Sequence, residues 1–179
     1  MRPDTGFTLI EALIAMLLVA LLLGVAVPAW TSASAATRSA AARAALEGTL
    51  IRGMRHATVT GARVVVCPAA TVGCRDTMDW SGGWIAWADL DGDRRRDPNE
   101  TLLQRAPPLD RGVRLRSTTG RRRLVLRPHG GAAAGSNVTF TLCDARGADK
   151  ATTLVMANSG QLRSGKPRRA AALACVSGI

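Results

Sequence analysis

Tyrosine is absent from this 179-residue chain, and phenylalanine occurs only twice, at Phe7 and Phe140. With four tryptophans as the other aromatics, a large aromatic core is not expected. Lysine is almost missing: the 24 basic residues include only Lys150 and Lys166, so 22 are arginine. The two histidines, His56 and His129, stand alone, which argues against a zinc site or a histidine-based catalytic group. Acidic residues are scarce in one half. Residues 1–100 carry ten Arg against ten Asp/Glu, whereas residues 101–179 carry 14 Lys/Arg against Asp110, Asp144 and Asp149. The whole formal charge of +11 therefore lies in the last 79 residues. Codon bias of a GC-rich genome would account for arginine in place of lysine but not for this segregation, which points to a polyanionic partner or an anionic surface. With 47% hydrophobic and 21% charged residues the chain is neither disordered nor fibrous, and no internal repeat is evident.

From Ala12 to Trp30 run nineteen residues without a charge, a length that can span a bilayer as a helix. Just before them stands Glu11, a carboxylate that is costly beside a membrane and implies a function. A secretory signal cut after Ala35 is one alternative, since Ala33-Ser34-Ala35 has the small residues that such cleavage needs. Basic residues are sparse before the span (Arg2) and present after it (Arg38, Arg43), a weak count against a cytoplasmic N-terminus.

The segment Gly6-Phe7-Thr8-Leu9-Ile10-Glu11 resembles the processing site of type IV prepilins and pseudopilins. The resemblance implies removal of a leader, residues 1–6, after Gly6, and methylation of the new terminal Phe7 by a prepilin peptidase and methyltransferase. It also implies that Glu11 pairs with the terminal amine of a neighbouring subunit during assembly, a setting in which a buried carboxylate is tolerated. Pro28 falls where pilins often loosen their long helix.

Trp30 to Ala57 is Ala-rich and proline-free, with Leu46, Leu50, Ile51 and Met54 at helical spacing. Gly48 and Gly53 weaken this helix and Gly61 stops it. The expectation is one long helix over 7–57, about 75 Å in length, with a membrane anchor at about 9–30, followed by a β domain over 58–179. Strands are expected at Val64–Cys67, Gly83–Ala88, Thr101–Gln104, Val113–Arg116, Leu124–Leu126, Val138–Cys143 and Thr153–Met156. Turn signals at Pro107, Gly130 and Asn158 separate several of them. The fold class is α+β, a long N-terminal helix packed on a small antiparallel sheet domain. Cys67-Pro68 with Cys74, the Trp84–Trp87 strand, the acidic loop, Leu102-Leu103-Gln104-Arg105 and the late Asn158–Arg163 segment resemble the GspH/FimT group of minor pilins and pseudopilins.

Cys67, Cys74, Cys143 and Cys175 all follow the apolar segment, and three pairings are possible. Pairing Cys67 with Cys74 and Cys143 with Cys175 keeps both bridges local and suits an oxidising compartment. The second bridge would pin the C-terminal tail to the strand beginning at Val138.

Asp89, Asp91, Asp93, Asp97 and Glu100 stand at positions one, three, five, nine and twelve of a calcium-loop spacing. The sixth position, where glycine permits the turn, is Arg94, and Arg94-Arg95-Arg96 would repel a cation. The preferred reading is a solvated hairpin with Asp91-Gly92 as its turn, and no metal is assigned; calcium is the alternative.

Arg111, Arg114, Arg116, Arg121, Arg122, Arg123 and Arg127 form one basic cluster, and Arg163, Lys166, Arg168 and Arg169 another. Arginine's planar donor fork suits phosphate oxygens. Phe140 is the only aromatic after residue 100, so stacking platforms for unpaired bases are absent. Any nucleic-acid binding would be through phosphates and without sequence preference. Resemblance to FimT-type pilins implies DNA binding through a Gly-Arg-x-Arg motif. The matching place here reads Gly160-Gln161-Leu162-Arg163, with Gln161 where the first arginine would be. The candidate DNA contacts are Arg163, Lys166, Arg168 and Arg169, on a Gly- and Pro-containing loop, with Arg121 and Arg123 from the other cluster.

No catalytic constellation is assembled, so the chain is expected to be a substrate of processing enzymes and not an enzyme, and to need no cofactor. The expected function is that of a minor pilin or pseudopilin with non-specific DNA binding. It would be held in the inner membrane with a periplasmic domain until it joins other pilins in a filament. A purely structural pseudopilin is the alternative.

Overall fold

The computed structural model describes residues 8–178. Helix α1 covers Leu9–Thr60. Thr8 and Glu11 cap its start reciprocally: the Glu11 N–H donates to Thr8 Oγ1 (3.3 Å) and the Thr8 N–H to Glu11 Oε2 (3.4 Å). The chain forms two compact units, Met1–Ser34 and Ala35–Ile179. In the first, the side chains from Leu9 to Trp30 are exposed, and this stretch is long and apolar enough to cross a membrane. The helix continues through Pro28, which has no N–H to bond one turn back; the Thr31 hydroxyl donates to the Pro28 carbonyl (2.9 Å).

In the second unit, Ala35, Ser39, Ala42, Leu46, Leu50, Gly53 and Ala57 lay one buried stripe along α1, with Thr49 beside it. Gly61 ends the helix in a left-handed conformation (φ 75°), its N–H returning to the Ala57 carbonyl (3.0 Å). The end lies three residues beyond the expected one.

Two four-stranded antiparallel sheets follow. In chain order the strands are β1 (Arg63–Pro68), β2 (Trp84–Asp89), β3 (Leu102–Ala106), β4 (Val113–Ser117), β5 (Leu124–Leu126), β6 (Val138–Asp144), β7 (Thr152–Met156) and β8 (Leu162–Gly165). The first sheet runs β3-β2-β1-β5 and the second β4-β6-β7-β8. Helix α2 (Arg169–Val176) closes the described chain. All seven expected strands form, while β8 and α2 replace what was expected to be loop.

One core joins α1 to both sheets. Leu46 and Leu50 share one buried cluster with Val64, Val66 and Trp84 of the first sheet and Leu115, Phe140, Leu142, Leu154 and Met156 of the second. Phe140 receives Trp80 edge-to-face, with ring centroids 4.9 Å apart at 86°. The Trp84 indole N–H donates to the buried Thr49 hydroxyl (2.9 Å), so its polar atom is satisfied inside the core. A second cluster, Val65, Cys67, Ile85, Trp87 and Val125, fills the opposite face of the first sheet. A third, Cys143, Ala151, Ala172 and Cys175, seats α2 against the second.

Candidate functional site

Gly6 and Phe7, the expected processing residues, lie outside the described residues. Glu11 is described, and as the third residue of α1 it completes the capping box with Thr8. The disulfides are Cys67–Cys74 and Cys143–Cys175, with Cα separations of 5.6 and 6.0 Å. The second fixes α2 to β6.

The strand register places the basic residues. On β4, Val113, Leu115 and Ser117 turn to the core, so Arg114 and Arg116 face outward. The outward row beside them runs Arg116–Thr141–Thr153–Gly165, and the next runs Thr139–Val155–Arg163. α2 covers part of this face, since the Arg116 guanidinium donates to the Ala174 carbonyl (2.8 Å) and Cys175 is bonded to Cys143. Thr139 and Val155 of this row line a shallow groove together with Thr118, Arg121, Asn137 and Asn158. Arg121 is held there through its Nε to the Asn137 carbonyl (2.6 Å) and its Nη2 to Asn137 Oδ1 (3.1 Å). Arg163 stands on β8, two strand spacings (about 10 Å) from Thr139. Residues 42 apart in sequence thus flank one outer face.

From Arg163 the chain carries Lys166 and Arg168 into α2, where Arg169 is the first helical residue. All four side chains are exposed, and among the described residues none forms a salt bridge. The expected loop is therefore reduced to a short link between a strand and a helix. Arg168 is the N-cap of α2 and makes no side-chain cap bond, so the helix offers unsatisfied N–H groups beside three cations. Asp149 shares the depression bordered by Lys166 and Arg169, and it is the acidic member of this region. The Arg163 guanidinium donates to Gln161 Oε1 (2.7 Å), so the residue standing where a motif arginine was expected orients its neighbour.

Other arginines are committed elsewhere. Arg114 pairs with Asp79 (3.0 Å), Arg122 with Asp76 (2.8 Å) and Arg146 with Asp144 (2.7 Å). Arg123 is exposed and leads into β5 of the first sheet, apart from the outer row of the second. In the sequence, Thr139 and Val155 read as strand residues with no sign of a groove, and the whole of α2 was missed; the Ala-rich run after Arg169 was the available signal for the helix.

In the acidic loop, the carboxylates of Asp89, Asp91 and Asp93 converge, with ligand atoms within 4.8 Å of one another. Glu100 is buried and turned to a different task, Oε1 accepting the Leu90 N–H (2.9 Å) and Oε2 the Asp97 N–H (3.1 Å). Asp97 is outside the converging group.

A sequence profile described as type II transport protein GspH matches residues 32–160, and one described as the prokaryotic N-terminal methylation motif matches residues 1–27. A search of curated proteins finds no match. Two crystal structures of the type IV minor pilin FimU from Pseudomonas aeruginosa (strain PAO1) are similar in fold. The one in space group P65 has TM-score 0.55 and 14% identity, covering 70% of this chain and 90% of that chain. The one in P21 has TM-score 0.55 and 12% identity, covering 78% and 92%. With the GspH profile spanning the helix stripe and strands β1 to β7, and the methylation motif at its N-terminus, this chain belongs to the type II transport protein GspH family of minor pilins and pseudopilins.

Proposed function

We propose that this chain is a minor pilus subunit that also binds DNA, without sequence preference, through the β8–α2 corner. The observation that supports the reading is the placement of Arg163, Lys166, Arg168 and Arg169. They are exposed, close in sequence, unpaired with carboxylates among the described residues, and continuous with the uncapped start of α2. Arg121 adds a cation across the neighbouring groove. Phosphates are the natural ligand for guanidinium forks beside free backbone N–H groups. Before assembly the apolar part of α1 would anchor the chain in the inner membrane, with the disulfide-bonded domain in the periplasm. The peptidase and methyltransferase would act at Gly6 and Phe7, so the chain is their substrate and not itself an enzyme. After extraction, Glu11 would meet the terminal amine of a neighbouring pilin.

The family description, a type II transport protein, favours a second reading: a secretion pseudopilin whose basic corner contacts neighbouring subunits. Fluorescence anisotropy with labelled duplex DNA, using the full chain in non-ionic detergent, separates the two. The DNA reading expects the triple variant Arg163→Glu, Lys166→Glu, Arg168→Glu to lose at least about tenfold in affinity, since each phosphate contact carries part of the binding. Undiminished binding in the variant, or none in the wild type at low salt, would leave the structural reading.

A further inference from the structure

We propose that the β2–β3 loop holds one divalent cation, calcium in preference to magnesium, between the carboxylates of Asp89, Asp91 and Asp93. Their ligand atoms lie within 4.8 Å of one another. Oxygens that share one calcium ion, each at 2.3–2.6 Å from it, lie no more than about 5 Å apart, so the three can meet one ion with little movement.

A second observation, independent of the clustering, comes from Asp89. This last residue of β2 is only 1% exposed. Its Oδ1 accepts the Arg94 N–H (3.2 Å), but Oδ2 is buried with no hydrogen-bond partner. A buried carboxylate oxygen left without a partner is costly unless a cation or donor meets it.

The nearby arginines do not fill this role. Arg94, Arg95 and Arg96 follow directly, and Arg63 reaches over Gly92, where an added Cβ would lie 3.1 Å from its Nη1. Yet among the described residues none of these four forms a salt bridge with the loop. The turn is shaped without glycine at its sixth position, since Arg94 itself adopts the left-handed conformation (φ 63°). Glu100 ties the loop base through Leu90 and Asp97, so three of the five spaced acids are ligands and Glu100 is scaffold. Calcium is favoured because it accepts irregular sets of six to eight oxygens, completed by carbonyls and water, where magnesium demands a near-ideal octahedron.

The test is calorimetric titration of the full chain in non-ionic detergent, stripped with EDTA, using calcium chloride and separately magnesium chloride. The expected result is one calcium per chain with a Kd of about 10⁻⁴–10⁻³ M, and magnesium at least about tenfold weaker. Asp91→Asn with Asp93→Asn, both at exposed positions, should weaken calcium by at least about tenfold, while Asp97→Asn changes it less than about twofold. Melting in EDTA verifies that the variants fold, and calcium should raise the melting temperature of the wild type but not of the double variant. No saturable calcium uptake, uptake unchanged in the double variant, loss with Asp97→Asn, or equal affinity for magnesium would overturn the assignment.

Discussion

Gly53 of α1 faces Leu126 of β5 so closely that a Cβ at residue 53 would lie 2.8 Å from Leu126 Cδ1, and 3.2 Å from Val64 Cγ1. In sequence this glycine reads as a weak point in a helix. In the fold it is the place where helix and sheet approach. Both neighbours are fully buried, and the β-branched Val64 is stiff, so neither has room to give.

Gly53→Ala is therefore expected to destabilise the domain by about 1–2 kcal/mol. Overpacking of about 1–3 kcal/mol outweighs the gain of up to about 1 kcal/mol in helix propensity. Gly48→Ala supplies the control, because a Cβ there meets only Arg52 Nη2 at 3.8 Å; it should stabilise slightly. Thermal melts of both variants give the comparison, and a stabilised Gly53→Ala would contradict the packing account.

Asp144 ends β6 almost fully buried, a setting that by itself raises a carboxyl pKa. Hydrogen bonds and charge from Arg146, with the Ser39 hydroxyl of α1, outweigh this and hold it below the ordinary 3.8. A carboxyl depressed in the folded state stabilises above its unfolded pKa, and that stability is lost as pH falls through the folded value. Arg146→Ala should cost about 1.5–3 kcal/mol at pH 6, the range for hydrogen bonds to a charged group. The difference should shrink as pH falls towards the depressed folded value of Asp144, and vanish once Asp144 is protonated in both proteins. Paired denaturation curves at several pH values decide it; a gap that stays constant in acid would count against the ion pair.

Helix α2 buries only Ala172 and Cys175, and the Cys143–Cys175 bridge ties it covalently to β6. The bridge spans 32 residues, for which loop entropy gives about 3–4 kcal/mol. Cys143→Ser with Cys175→Ser should lower stability by that order, and residues 169–176 should exchange their amide hydrogens rapidly before the sheets do. Protection of α2 equal to that of β6 in the variant would show that the helix is held by other means.

Mass spectrometry of the mature chain from its native membrane should find a start at Phe7 with one added methyl group. A start at Ala36 would instead identify a cleaved secretory signal, and it would remove the anchor and Glu11 together.

Strands were legible wherever β-branched and aromatic residues made local preference agree with packing, as in Val64–Val66 and Trp84–Trp87. β8 was not, because Leu162-Arg163-Ser164-Gly165 has no such preference and becomes a strand by pairing with β7. Charge segregation was plain in the sequence, but which arginines were already engaged was not. The partners of Arg114 and Arg122 lie 35 and 46 residues away, and only folding brings them together. The acidic spacing was equally visible. The sequence alone could not divide its carboxylates between a converging trio and a structural Glu100, nor reveal that Arg94 takes the turn that glycine would.

The central claim is that phosphates, and not bases, are what the basic corner meets, and the salt dependence of DNA binding tests it most directly. Contacts from Arg163, Lys166, Arg168 and Arg169 predict that log affinity falls linearly with log salt, with a slope of about −3 to −4 on duplex DNA. The slope should be the same for duplexes of unrelated sequence. A slope near zero, or one that depends on the sequence offered, would contradict the account.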